Sequence, residues 1–290
     1  YEIHERLVGS EMCIRDRRNN MLKTRVITAS IGLLIAIIAI TAGGYIFNGI
    51  ILILALLGWR EYVRMLRKVN VVLPERWGYL FTILLMGALA FGLYKWAVIA
   101  AAAAIMTIGL LYIFGPARLD LSVISCSIVG FFYINGGFAA FMALRENSIY
   151  ELLSVSVVTD HIGILVIWLL LLTTWASDTF AYFAGVKWGK RKIVPTISPS
   201  KSLEGYVGGF IGCLLTGILY AVIVGIPFSL GFGAGLLTGI VAPLGDLFES
   251  KLKRYCGVKD SGVLLPGHGG VLDRFDSLLF SAPMVLIYLL

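Results

Sequence analysis

Residues 250–276, reading SKLKRYCGVKDSGVLLPGHGGVLDRFD, hold the densest set of chemistry-bearing side chains in the chain. Lys251, Lys253, Arg254, Lys259 and Arg274 stand around Asp260, Asp273 and Asp276, with the Gly-rich turn Pro266-Gly267-His268-Gly269-Gly270 between them. Cations suit phosphates, carboxylates suit a metal ion, and glycines let the backbone approach a ligand closely. Together these are the needs of phosphoryl chemistry. The stretch follows directly on an apolar segment, so the chemistry is expected at a membrane surface, acting on a nucleotide and a lipid phosphate.

Upstream, Gly231, Gly235 and Gly239 recur every four residues, a seam that lets helices approach closely. Asp246 follows Gly235 by close to three helical turns and is expected on the same buried face. A carboxylate at the end of a membrane helix reads first as functional; the alternative is a helix-end group meeting Lys253 or water. The run from Gly269 to Asp276 predicts a turn leading into a helix, which puts Asp273 and Asp276 on one face. Converging with Asp246, they would hold magnesium, a cation that takes oxygen ligands and keeps substrate phosphates in its shell. For Asp276 a local cap or a pair with Arg274 weighs equally. The basic residues serve either as topology signals or as phosphate clamps, and both uses are expected among them. His268 is expected to orient a phosphate or to shape the turn, because a phosphate nucleophile is already ionised and needs no base.

A second candidate region runs from Asp178 to Gly205. Gly185 to Lys190 is one residue short of a Walker A loop and lacks the following Ser or Thr, so that reading is set aside. Ser198, Ser200, Lys201 and Ser202 offer hydroxyls and an ammonium to a triphosphate, just before a helix start whose free N–H groups favour anions. Ser202 is equally an N-cap with Glu204 in the first turn, and the two uses are compatible. Gly205, Gly208, Gly209 and Gly212 read as helix packing.

These groups need a scaffold, and the composition names it. The chain of 290 residues is 59% hydrophobic and 14% charged, with mean hydropathy +0.90. A soluble domain carries about 25% charged residues, so the expected class is all-α: a polytopic integral membrane bundle. Apolar runs predict helices over 26–43, 45–59, 78–94, 96–114, 120–144, 161–177, 205–225, 228–247 and 278–290, nine spans in all. Gly43-Gly44 and Gly225-Ile226-Pro227 predict tight antiparallel hairpins.

With Lys23 and Arg25 in the cytosol, alternation puts Arg60, Arg64, Arg67, Lys68, Arg76, Arg118, the 187–201 group and the 251–274 group on that side. The opposite side receives Lys95 and Arg145, offset by Glu146, Glu151 and Asp160. The net charge of +7 is thereby a matter of membrane topology, and no nucleic-acid motif accompanies it. Cys126 and Cys213 lie in apolar runs and Cys256 in a basic one, with no disulfide framework or zinc spacing. Residues 1–20 differ sharply in composition, and 11–16 resemble a translated sequencing adapter, so Met21 is the expected natural start. The last apolar run is shorter than the ~20 residues a span needs, so the chain is expected to be truncated there, with 21–290 as one transmembrane domain.

At these residues the sequence resembles the phosphatidate cytidylyltransferase (CDP-diacylglycerol synthase) family. The family signature is matched by Ser250, Leu252, Lys253-Arg254, Lys259-Asp260, His268-Gly269-Gly270, Val271, Asp273-Arg274, Phe275 and Asp276, with no mismatch. Residues 178–205 are similar to the family's second motif, with Ser202 where Thr is usual and Leu203 where an aromatic is usual. The resemblance implies transfer of a cytidylyl group from CTP to phosphatidate at the cytosolic face of the inner membrane. It also implies dependence on magnesium, a potassium ion at the site, and a homodimer. The family's metal-site aspartates map onto Asp246 and Asp273.

The expected catalytic set is Asp246, Asp273, Lys253, Arg254, Lys259 and Arg274, with Asp246, Asp273 and Asp276 on the metal. The expected substrate contacts are Asp178, Ser198, Ser200, Lys201, Ser202, Ser250, Asp260, His268, Gly269 and Gly270. The rival enzyme is a CTP-dependent kinase of a polyprenol or similar lipid alcohol. A transporter would put charges at mid-membrane and show related halves, neither of which is seen.

Overall fold

The computed structural model describes residues 28, 30–115, 120–152, 161–262 and 269–290, the side chains of 151 and 152 excepted. The leader over 1–20, Arg118, Asp160 and His268 lie outside the described residues.

The described chain is built from helices: α1 (Ser30–Ala42), α2 (Gly44–Arg67), α3 (Glu75–Ala90), α4 (Tyr94–Phe114), α5 (Leu121–Phe131), α6 (Gly137–Arg145), α7 (Asn147–Leu152), α8 (Ile162–Trp188), α9 (Leu203–Val224), α10 (Phe228–Tyr255) and α11 (Leu272–Leu289). A single π turn, Phe132–Gly136, joins α5 to α6. Each of the nine predicted apolar runs holds a helix where described, though the third ends at Ala90 rather than at 94, and no strand is named among the described residues.

Among the described residues six helices are long and apolar enough to cross a membrane: α2, α4, the continuous Leu121–Arg145, α8, α9 and α10. The expected count of nine is therefore not reached among the described residues. With 16 residues, α3 rises about 24 Å, short of the ~30 Å hydrocarbon core. Leu33, Ile99, Met106, Ile113, Val222 and Ile223 are exposed, the apolar exterior a bilayer covers.

Three helices run well past their predicted ends. The α2 helix continues to Arg67, α8 to Trp188 and α10 to Tyr255. Hydropathy marks where a helix leaves an apolar medium; the hydrogen-bonded spiral continues into polar surroundings at no penalty. Asp178, Ser250, Lys253 and Arg254 consequently sit on helices, where one-turn spacings fix which side chains meet.

The C-terminal helices α8 to α11 pack against one another. The α9–α10 pair is an antiparallel hairpin turned at Gly225, whose φ of 79° is left-handed. A Cβ on Gly217 would strike the Gly231 carbonyl, and one on Gly235 would stand 2.7 Å from the Cys213 carbonyl oxygen. The glycine seam expected from sequence is thus a backbone-to-backbone contact. At the other end of the chain, α1 gives way to α2 through Gly43 and Gly44, both at positive φ.

Candidate active site

Two short connections bring the charged residues together. Residues 189–202 fold back on themselves before α9: Lys192 and Ser202 form an antiparallel bridge, and the Leu203 N–H donates to the Arg191 carbonyl at 2.8 Å. Glu204 fastens this clamp by accepting from the Lys190 and Arg191 amides at 3.0 and 3.2 Å. Ser202 is the N-cap, accepting from the Gly205 amide at 3.2 Å, so its expected capping role is present. The fold-back aims Lys201 at α10, where its Nζ lies 2.5 Å from Asp246 Oδ2.

On α10, Asp246 and Ser250 are one turn apart, and the Ser250 hydroxyl donates to Asp246 Oδ1 at 3.2 Å. Asp178 of α8 and Asp276 of α11 each interact electrostatically with Asp246, and Asp276 with Asp178. Close approach of α10 to α11 makes this possible, since a Cβ on Gly245 would lie 2.5 Å from the Asp276 carbonyl oxygen. Asp276 Oδ1 accepts the Ser277 amide at 2.6 Å.

Beside this group lies a second centre built on Lys253. Its ammonium pairs with Glu249, fully buried one turn earlier on α10, and donates to Asp273 Oδ1 at 2.7 Å. The other oxygen of Asp273 accepts from the Gly270 amide, the Ser261 amide and the Ser261 hydroxyl, each at 2.8 Å. Burial alone would raise this carboxyl, but Lys253 and these donors hold it at about 2.

The start of α11 is clamped from α2, far away in sequence. Glu61 is 6% exposed and accepts from the Val271 and Leu272 amides at 2.9 and 3.0 Å, and from the Ser261 hydroxyl at 3.2 Å. A carboxylate there satisfies free N–H groups and faces the positive end of the helix dipole. Gly269 and Gly270 are required by this arrangement. Gly269 has φ 84°, and a Cβ on Gly270 would collide with both Ser261 and Glu61.

Of the expected set, Asp246, Asp276, Asp178, Lys201 and Ser250 come together, and Lys253, Asp273 and Gly270 form the adjoining centre. Arg254, Lys259 and Asp260 are exposed, and Lys259 and Asp260 line a separate cavity against α2. The hydroxyls of Ser198 and Ser200 make no hydrogen bond with another described residue. Glu61, Glu249 and Ser261 were absent from the sequence expectation, as was Tyr133. Tyr133 lies in the π turn, interacts electrostatically with Asp276, Glu249, Asp246 and Asp273, and has a buried hydroxyl without a hydrogen-bond partner among the described residues. The Glu249 signal was legible as i, i+4 spacing to Lys253; Glu61 carried no local signal at all.

Among the described residues no three His, Cys, Asp or Glu side chains already form a metal-binding group. The donors nevertheless fit magnesium in kind. They are hard carboxylate oxygens, and Lys201 and Lys253 already supply cationic charge against Asp246 and Asp273.

An apolar helix bundle that gathers carboxylates and ammonium groups at one polar end defines a membrane enzyme of phosphoryl transfer. The chain belongs to the cytidylyltransferase family, whose model matches residues 23–290. It is similar to a phosphatidate cytidylyltransferase of Synechocystis sp., 35% identical over 280 residues, covering 90% of this chain and 94% of that protein. A Staphylococcus haemolyticus protein of the same name is 33% identical over 275 residues, 93% of this chain and 99% of its own length. A Thermotoga maritima one is 45% identical over 123 residues, 40% of this chain and 46% of that protein.

Proposed function

We propose that this chain transfers the cytidylyl group of CTP to phosphatidate, giving CDP-diacylglycerol and pyrophosphate. The observation that carries the reading is the junction of the two signature regions, where Lys201 from the clamp before α9 meets Asp246 on α10. The names of the relatives favour this reaction over phosphorylation of a lipid alcohol.

In this reading a phosphate oxygen of phosphatidate attacks the α-phosphorus of CTP in line. The bond from that phosphorus to the β-bridging oxygen breaks, and pyrophosphate leaves with the electron pair. Lys201 and Lys253 orient the polyphosphate and offset its growing charge. Ser250 fixes one oxygen of Asp246, and the Gly270 and Ser261 donors fix Asp273. Asp246, Asp273 and Asp276, with Asp178 beside them, would hold magnesium, which neutralises phosphate charge when bound. The acyl chains stay among the helices. The reading places the N-terminus and the site on the cytosolic face of the inner membrane. It also includes a potassium ion and a homodimer, checked by turnover in potassium-free buffer and by the mass of detergent-solubilised protein.

The test is conversion of radiolabelled CTP and phosphatidate with magnesium in detergent, for the parent chain and for Asp246→Asn and Asp273→Asn. Label is expected in a CDP-lipid, with turnover per mole of folded protein reduced by orders of magnitude in each variant. Near-parent turnover in either variant removes that aspartate from the site. If the parent chain gives no CDP-lipid, and γ-labelled CTP passes its phosphate to a polyprenol supplied in place of phosphatidate, the kinase reaction replaces this one.

A further inference from the structure

We propose that a cavity between the polar end of α2 and residues 257–262 is a second anion site, one that binds the phosphate group of a lipid headgroup or free phosphate. The cavity encloses about 650 Å³, with Arg60, Arg64 and Lys68 along one wall and Lys259, Asp260 and Ser261 along the other. That volume lies within the ~300–1,000 Å³ usual for ligand sites.

Arg60 and Arg64 on α2 and Lys68 at its C-cap recur every four residues along one face, where like charges repel one another. Among the described residues neither they nor Lys259 makes an ion pair. The carboxylates close by are engaged elsewhere. Glu75 is held by Arg67 at 3.0 Å and by the Tyr79 hydroxyl at 3.0 Å. Glu61 also lines the cavity, but both its oxygens accept from the start of α11 and from Ser261. Two carboxylates, Glu61 and Asp260, line the cavity against four cations, which leaves it net positive. Two guanidinium groups one turn apart suit the oxygens of a phosphate, and the neighbouring glycines, Gly257 and Gly262, keep the opposite wall low. The Asp246 centre is different in character, being rich in carboxylates that require a cation. This site presents cations that require an anion. Ser261 and Glu61 line this cavity, and Ser261 also donates to Asp273 of the neighbouring centre.

The probe for the lipid source is phosphatidylglycerol, an anionic lipid that is not the substrate. The purified full chain is titrated with it in mixed micelles against phosphatidylcholine, and separately with inorganic phosphate. Binding is read by native mass spectrometry and calorimetry without CTP, so failure here leaves the cytidylyl-transfer reading untouched. Arg60→Gln/Arg64→Gln is expected to weaken binding at least tenfold, and Arg60→Lys/Arg64→Lys, which keeps charge and tests folding, by a smaller factor. Arg67→Gln removes a charge from the same turns outside the cavity and is expected to leave binding within twofold. Loss of selective phosphatidylglycerol retention in the first variant assigns a lipid headgroup. Phosphate binding with the same dependence on variant, and no lipid selectivity, assigns the free anion. Equal effects of Arg67→Gln and Arg60→Gln/Arg64→Gln, or no preference for anions, overturn the proposal and leave these cations a topological role only.

Discussion

Asp273 shows how a single carboxylate serves fold and chemistry together. It receives Lys253 on one oxygen and three donors on the other, so its negative charge is held in place at the lip of α11. Its folded-state value of about 2 lies below the ordinary 3.8. A depressed carboxyl stabilises the fold above its unfolded value and loses that contribution as pH falls through the folded one. The chain is therefore expected to lose thermal stability between about pH 4 and pH 2, and Asp273→Asn to be less stable at pH 7 and flatter across that window. Melting of both proteins in detergent at pH 6, 4 and 3 checks this; parallel curves would remove Asp273 as a source of acid sensitivity.

At the scale of elements, the site is a meeting of helix ends. Ser250 entered through the family signature, whereas Asp246 was legible in sequence from its three-turn spacing to Gly235 and Lys253 from the density of cations around it. Glu61 was not: its partners lie some two hundred positions away, and nothing in WREYVRML marks one glutamate as the cap of a distant helix. Glu61→Gln keeps the shape but has one acceptor oxygen where two are used, and it removes the charge facing the α11 dipole. It is expected to cost about 1–3 kcal/mol, to speed hydrogen exchange at the Val271 and Leu272 amides, and to lower turnover without touching substrate. Unchanged exchange at those two amides would show that Glu61 does not hold the helix start.

The α9–α10 seam makes a different demand. Gly235→Val would push α10 off Cys213 and so separate Lys201 from Asp246, and turnover is expected to fall at least a hundredfold. Gly225→Ala meets no neighbour and strains only a left-handed turn, at roughly 1 kcal/mol, with turnover nearly retained. Equal losses in the two variants would count against the seam as the device that sets the register.

Across the whole molecule, charge is sorted by end. Arg145 donates to the Ile40 carbonyl at 2.8 Å, and the Tyr94 hydroxyl lies 2.8 Å from that of Ser148, so Lys95 and Arg145 belong to one end of the bundle. The start of α8 is also there, because Gly163 abuts the Arg145 carbonyl. From that end α8 runs to Lys187, and from the same end α10 runs to Lys253, which places the Lys201 clamp, Asp246 and the α2 cations at the other. The Lys/Arg pattern carried this sorting in sequence because loop charges report which way a span runs even where its length is misjudged. The number of spans was harder to read, since α3 is apolar and falls short of a span by its length of 16 residues. Orientation then follows as a prediction: the end bearing Lys190 faces the cytosol and the end bearing Lys95 faces away. Both residues are exposed, so once Cys13, Cys126, Cys213 and Cys256 are replaced by Ser, single cysteines placed there by Lys190→Cys and Lys95→Cys report sidedness to a membrane-impermeant thiol reagent. In right-side-out vesicles Lys95→Cys is expected to label and Lys190→Cys to stay protected, and inverted vesicles should exchange the two. Labelling of both from one side would mean that the two ends are not separated by a bilayer, and the reverse pattern would put the carboxylate centre on the side without CTP.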